Sequence, residues 1–390
     1  MSAQQQNDDL LDLADVTGKR IVSTRLHGNV TIREENSIAA LEVMSRFAAN
    51  PKWLIYLPPT MSPCETSNAP GLLEHPAEAF AYFRHAGVPR VVCEEKHMGS
   101  RAVVIICRDE DAARKIFGVT GEGIGICYTR TGRRFFDNAT LEAEFLEHIR
   151  AAATAAGFWE EFKTDWLCLD CELMPWSAKA QELVKQQYAA VGASAQATLA
   201  AEVTALEQAS ARGLDVSELL ARTTARRQMV SDYLESYRRY CWPVNSVNDL
   251  KLAPFHLLAT EGKVHADKPN DWHMQMLARL AGGIIVATPF HVIDVTNPES
   301  EAEGIRWWEE LTGRGGEGMV ANISASFTAR NTPRRKILNA FVRAGFPRNG
   351  RWLCVNLPSA LNHSKGLFGT SRCVVFTKLS LRAGARKRAG

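Results

Sequence analysis

The chain has 390 residues, 46% of them apolar and 23% charged, the proportions of a globular protein large enough for more than one packed unit. No stretch approaches the roughly 18 consecutive apolar residues that a membrane helix needs, so no membrane association is expected. The start, M-S-A-Q-Q-Q-N-D-D, lacks the basic-then-apolar pattern of a secretory leader. Charge is divided unevenly: of 46 Lys+Arg and 43 Asp+Glu, residues 321–390 hold 14 of the former and none of the latter, leaving residues 1–320 at a net of −11. Nine cysteines scattered through apolar contexts suit reduced thiols and a cytoplasmic location.

Along the chain, Arg20 to Arg33 predicts short strands and Ser37 to Ala49 a helix. Residues 1–50 are too few for a domain and read as the remnant of an upstream unit or a linker. W-L-I-Y-L-P-P-T-M-S-P-C (53–64) opens a new unit, and its prolines suit an edge or a loop because proline donates no ladder hydrogen bond. A helix follows over 76–87. Short apolar runs between Gly-rich turns from Val91 to Phe136 then predict antiparallel strands. Within them, G-E-G-I-G (121–125) is expected to be a hairpin turn and not a dinucleotide loop, since no strand–loop–helix unit surrounds it. Residues 138–163 predict a helix, and W-L-C-L-D-C-E-L-M-P-W (166–176) a buried strand that proline ends. Its Cys168 and Cys171 form a lone C-x-x-C, without the second pair or histidine that a zinc site requires.

Residues 177–240 change character. Ala, Gln, Glu, Leu and Arg dominate, and apolar spacings of three and four predict two or three long helices. Such a block between strand-rich segments is a helical module inserted into an α+β core. Strands resume at 250–259 and 283–295, with a helix around Trp272 to Leu280 between them. A helix at 299–312 leads into G-R-G-G-E-G-M-V (313–320). The chain thus divides into 1–50, 51–176, 177–240, 241–320 and 321–390.

Three segments carry more charge than strand ends need: E-E-K-H-M-G-S-R (94–101), D-C-E-L (170–173) and G-E-G-M-V (316–320). A lysine attacks phosphorus only as the free amine, a form that neighbouring cations favour. Arg101 and a divalent metal on a triphosphate would spread the charge of such a transfer. Gly99 admits a tight turn. Glu172 and Glu317, at strand ends, could hold a sugar hydroxyl or hydrated Mg²⁺.

This set resembles the covalent nucleotidyltransferases, the superfamily of ATP-dependent ligases and capping enzymes. Their first motif is K-x-D-G-x-R, their third a strand with D/E-x-E, and their fourth an acid before Gly and apolar residues. Met98 stands where the first motif has Asp or Asn. Together with Y-T-R-T-G-R-R-F-F, L-D-C-E-L-M-P-W-S-A-K-A-Q-E-L, Y-C-W-P-V-N-S and L-A-P-F-H-L-L-A-T-E-G, that departure resembles the ligase domain of the bacterial polynucleotide kinase–phosphatase–ligase family of RNA repair, over residues 50–320. Residues 1–50 resemble the end of that family's metallophosphatase domain.

The resemblance implies an α+β nucleotidyltransferase core of antiparallel sheets flanked by helices. It implies ATP and Mg²⁺ or Mn²⁺ as cofactors, RNA ends as substrate and a 3′-terminal 2′-O-methyltransferase as partner. Lys96 would form lysyl-AMP and release pyrophosphate. Glu94 would read the adenine amino group, Arg101 would hold ribose or phosphate, and Glu172 the ribose. Glu317 would assist with the metal, Gly99 would let the nucleotide approach, and Arg133 or Arg134 would contact phosphate.

The superfamily's fifth motif, a strand with K-x-K lysines, is expected soon after Val320 and is missing. A codon set chosen for A-N-I-S-A-S-F-T-A-R-N-T (321–332) regroups, after one added base, into R-E-Y-L-R-I-I-Y-G-P-E-Y, which is similar to the family's segment after that motif. Residues 321–390 are therefore expected to be an out-of-frame, poorly ordered tail that leaves a sheet edge open. Two functions stay in view: an ATP-dependent adenylyltransferase, and an inactive fragment that binds at most a nucleotide or a partner.

Overall fold

The computed structural model describes residues 17–24, 28–37, 49–58, 62–64, 66–70, 72, 74–179, 189–265, 268–324 and 372–376. Arg20–Thr24 (β1) and Gly28–Ile32 (β2) pair as an antiparallel hairpin. The helix expected over 37–49 falls almost wholly outside the described residues. Ser62–Pro63 (β3) is followed by Pro76–His85 (α1), where His75 Nδ1 accepts the Ala77 N–H at 3.2 Å. Pro76 opens that helix, at the position where a missing N–H costs nothing.

Arg90–Glu95 (β4), Ser100–Cys107 (β5) and Gly125–Thr129 (β6) come next. Ala139–Ala155 (α2) starts at Asn138, whose side chain accepts the Thr140 and Leu141 N–H groups, satisfying two of the donors that a helix start leaves open. The single helix expected over 138–163 breaks at Gly157, which has φ of 71°, and resumes as Phe158–Phe162 (α3). Trp166–Met174 (β7) ends at Pro175. After Ala190–Ala211 (α4) and Ser217–Tyr240 (α5) come Lys251–Thr260 (β8), Lys263–Val264 (β9) and Asn270–Ala278 (α6). Phe290–Asp294 (β10), Pro298–Gly313 (α7), Gly318–Ile323 (β11) and Arg372–Phe376 (β12) complete the order.

Two five-stranded sheets result, ordered β10-β4-β11-β12-β3 and β6-β5-β7-β8-β9. In the first, β4 pairs antiparallel with β10 on one side and β11 on the other, so Glu94 lies opposite both Phe290 and Val320. Strands β4 and β5 are neighbours in the chain yet belong to different sheets. The segment E-E-K-H-M-G-S-R is therefore a passage between sheets, not a hairpin turn. Strand β3, with its proline, lies at an edge.

The open edge expected beside β11 is filled. Strand β12 pairs antiparallel with β11, Met319 opposite Val375, and β3 runs parallel to β12. Strand pairing uses backbone groups, and R-C-V-V-F carries the β-branched and aromatic residues that strands favour, so an acid-free composition does not prevent it. The rest of the tail beyond Ser324 lies outside the described residues.

Alternation along β4 gives it two apolar faces. Val91 and Cys93 pack with Phe80 and Phe83 of α1, Trp307 and Trp308 of α7, and Met319 and Ala321 of β11. Val92 faces the other way, in a small cluster with Phe255 of β8 and Met274 of α6. In the second sheet, Val103, Ile105, Ile126, Tyr128 and Trp166 pack with Trp53 and Phe117. Burying each such side chain contributes about 1.5–3 kcal/mol.

The chain forms two compact units, one of residues 1–97, 101–172 and 252–390 and one of residues 98–100 and 173–251. The second contains α4 and α5, which approach closely: a Cβ at Gly192 would lie 2.5 Å from Leu234 Cδ2. Val203 and Thr223 are buried, and Thr223 Oγ1 donates to Glu202 Oε1 at 3.3 Å. Among the described residues, no helix is long and apolar enough to cross a membrane.

Candidate active site

Strand register creates the first contact. Met319 lies opposite Glu95, and one step further the Lys96 N–H donates to the Gly318 carbonyl at 2.9 Å. That pairing draws Glu317 alongside Lys96. Lys96 Nζ and Glu317 Oε1 form an ion pair between side chains only 14% and 9% exposed. The second carboxylate oxygen, Glu317 Oε2, is buried without a hydrogen-bond partner among the described residues. Glu94, two residues before Lys96 and within β4, is also buried.

Arg101, near the start of β5, meets Asp170 of β7 edge to edge. Nε donates to Oδ1 at 2.7 Å and Nη2 to Oδ2 at 2.5 Å. Asp170 is fully buried, and the Tyr56 hydroxyl donates to its Oδ2 at 3.4 Å. The guanidinium carbon lies over the Phe255 ring, 4.9 Å from its centroid. Burial works against the Arg101 charge, but the Asp170 carboxylate outweighs it and holds the pKa above its ordinary value.

Glu172 follows Asp170 by two residues and so shares its face of β7. Burial pushes its carboxyl up to about 7, against the pull of Arg101 and Lys96 and with the push of Glu317 and Asp170. Glu172 is thus within electrostatic reach of Lys96, Arg101 and Glu317, and the three charged segments converge. Burial raises Glu317 too, with Lys96 opposing. His97 Nε2 lies 2.9 Å from Thr288 Oγ1, and burial, helped by the Lys96 charge, pushes its imidazole down to about 4. It is neutral at pH 7 and competes for none of the carboxylates. Gly99 occupies the bend before β5, among the residues grouped with the second unit.

The two candidate phosphate arginines separate. Strand β6 ends at Thr129, opposite Ala102, so the loop Arg130–Arg134 leaves the second sheet at the Arg101 end. Arg134 is paired with Glu142 at 2.5 Å and with Glu122 at 2.9 Å. Glu142 also accepts the Cys127 N–H at 3.0 Å, and Glu122 accepts from Trp53 Nε1 at 3.3 Å. Arg134 ties the loop to the core, while Arg133 is exposed.

Asp170 is the residue that sequence reasoning passes over, although its place two before Glu172 in D-C-E-L was a usable signal. Among the described residues, no group of three or more His, Cys, Asp or Glu could hold a metal. Cys168 and Cys171 lie on opposite faces of β7, and burial raises both thiols well above their usual range.

The chain is similar to a chain in the solved "Structure of Pnkp1/Rnl/Hen1 complex", at 17% identity over 72% of this chain and 74% of that one, with a TM-score of 0.49. It is similar at 16% identity, with the same coverages and a TM-score of 0.46, to a chain in "Structure of the Pnkp1/Rnl/Hen1 RNA repair complex". No curated protein sequence matches it significantly. The family described as "PNKP adenylyltransferase domain, ligase domain" matches residues 39–343. That span is well over half of the chain and takes in all three charged segments, and the chain belongs to the PNKP adenylyltransferase (ligase) domain family.

Proposed function

We propose that the chain transfers AMP from ATP to Lys96. The observation that carries this reading is the mostly buried Lys96–Glu317 pair, with Glu172 and Arg101 in electrostatic reach. Lys96 Nζ passes its extra proton to the paired Glu317 carboxylate, and the neutral amine attacks the α-phosphorus, a second N–H proton leaving to solvent. A nitrogen–phosphorus bond forms, the bond from that phosphorus to the bridging oxygen of the β-phosphate breaks, and pyrophosphate leaves. Glu94 would take the adenine amino group. Val92, Phe255 and Met274, with Phe290 and Val292 packed against them, supply an apolar surface suited to a base. Arg101 and Glu172 would hold ribose or phosphate, and Arg133 or Arg134 would contact phosphate.

A divalent metal, Mg²⁺ or Mn²⁺, would neutralise triphosphate charge when bound. Glu317 fits such an ion, since its Oε2 is buried and has no hydrogen-bond partner among the described residues. One carboxylate plus substrate phosphates is an ordinary Mg²⁺ environment. RNA ends as the later substrate, a 2′-O-methyltransferase partner and a cytoplasmic location belong to the same reading.

A second reading is favoured by one observation. The strand beside β11 is β12, R-C-V-V-F, and it has no K-x-K pair to grip phosphates. On that reading the chain binds a nucleotide without transferring it, and the codons of residues 321–332 test whether the tail is out of frame. Incubation with α-labelled ATP and Mg²⁺ or Mn²⁺, beside a Lys96→Ala control, separates the two. Label that depends on Lys96 carries the first reading, and ATP binding without label carries the second. Absence of both label and binding overturns each.

A further inference from the structure

A guanidinium presents five N–H donors in a rigid fork. Asp170 occupies one edge of the Arg101 fork, taking Nε at 2.7 Å and Nη2 at 2.5 Å. One face of the fork lies over Phe255. Asp170 is itself held: it is fully buried, and the Tyr56 hydroxyl donates to its Oδ2 at 3.4 Å. A guanidinium fixed along one edge and backed on one face keeps Nη1 and the outer hydrogen of Nη2 for anything else. Its three remaining N–H donors then point away from Asp170, from the tip and the opposite edge of the guanidinium.

We infer that Asp170 is a positioning residue for the nucleotide: it aims Arg101 at the ligand and acts through Arg101, without touching the ligand itself. This rests on the nucleotide reading of the site. Strand β7 then does two jobs on one face. Asp170 locks the donor, and Glu172, two residues on, meets the ligand. The Arg101–Asp170 pair is neutral as a unit, so Arg101 contributes directed hydrogen bonds and little net attraction for phosphate. Lysine, a point charge without a fork, cannot take its place.

The test is a double-substitution cycle on the full chain, read by equilibrium ATP binding and by α-label on Lys96. Asp170→Asn keeps the size of the side chain and removes its charge. It is expected to weaken ATP binding roughly 10- to 100-fold, the scale of loss when the partner that orients a metal-binding side chain is removed. In an Arg101→Ala background, the same Asp170→Asn change is expected to alter binding no further. An undiminished loss without Arg101, or ATP binding by Asp170→Asn equal to the parent's, would overturn the inference.

Thermal melting identifies any variant that fails to fold. Arg101→Lys keeps a cation opposite Asp170 and serves as the second probe, with the same loss expected. Parent-like binding by Arg101→Lys would also overturn the inference. If the parent binds ATP but does not label Lys96, the transfer reading falls, and the binding cycle still decides the role of Asp170. If the parent binds no ATP, both fall.

Discussion

Burial lifts the Glu172 carboxyl to about 7 from its ordinary 4.5, and the direction of that shift sets how pH acts on the fold. A raised carboxyl means that the folded chain favours the protonated form. Its contribution is therefore fully present at pH below about 4.5 and is lost as pH rises through about 7. Glu172→Gln is neutral at every pH. It is expected to be more stable than the parent at pH 8 by roughly 1–3 kcal/mol, and to lose that advantage at pH 4. Denaturant melts at the two pH values check this, and an equal difference at both would remove the pH argument. Asn270 offers a second case, since both polar atoms of its buried amide lack a hydrogen-bond partner among the described residues. Leaving such a group unsatisfied costs about 1–3 kcal/mol. Asn270→Leu, similar in volume, is expected to raise the urea midpoint, and an unchanged or lower midpoint would show that the amide has a use. At this scale the sequence is only partly readable. Lys96, Arg101, Glu172 and Glu317 stand out as charge in excess at strand ends. The engagement of Arg134 by Glu122 and Glu142 does not, because those acids come from a loop and a helix that only the fold brings to it.

Helix α7 packs so closely on α1 and β10 that a Cβ at Gly304 would lie 2.9 Å from Phe80 Cζ and 3.2 Å from two Ile293 side-chain atoms. Gly304→Ala would gain about 1 kcal/mol of helix propensity at an exposed site. Here the overpacking is expected to outweigh it, for a net loss of about 1–3 kcal/mol. A urea titration with an unchanged slope and a lower midpoint would show this, and a stabilised variant would contradict the close packing. Helix starts are the most legible elements. Asn138 before α2, and Asn297 with Pro298 at α7, are local signals that need no knowledge of the fold. The break at Gly157 was available in the same way, as a lone glycine inside a helical pattern. The separation of β4 and β5 into different sheets was not, since strand pairing is decided by residues distant in the chain.

The uneven charge of the chain bears on the whole molecule. Its acid-free tail supplies β12, which covers the outer edge of β11 in the first sheet. A chain ending after Ser324 would leave that edge, with buried Met319, Val320 and Ala321 along it, without a paired strand. Uncovered edges of this kind invite pairing between molecules. The shortened chain is expected to elute larger and scatter more light at equal concentration. A monodisperse monomer would mean that β12 is dispensable. Composition alone marks residue 321 as a change of character, and it could not tell that Ala321–Ile323 finish β11 and that Arg372–Phe376 add β12 beside it.

Lys96 rides at the end of one sheet and Arg101 at the start of the other, only a few residues of backbone apart. The short passage between them sets how far the amine stands from the guanidinium along the chain. A residue inserted there is expected to shift one against the other while leaving both sheets paired.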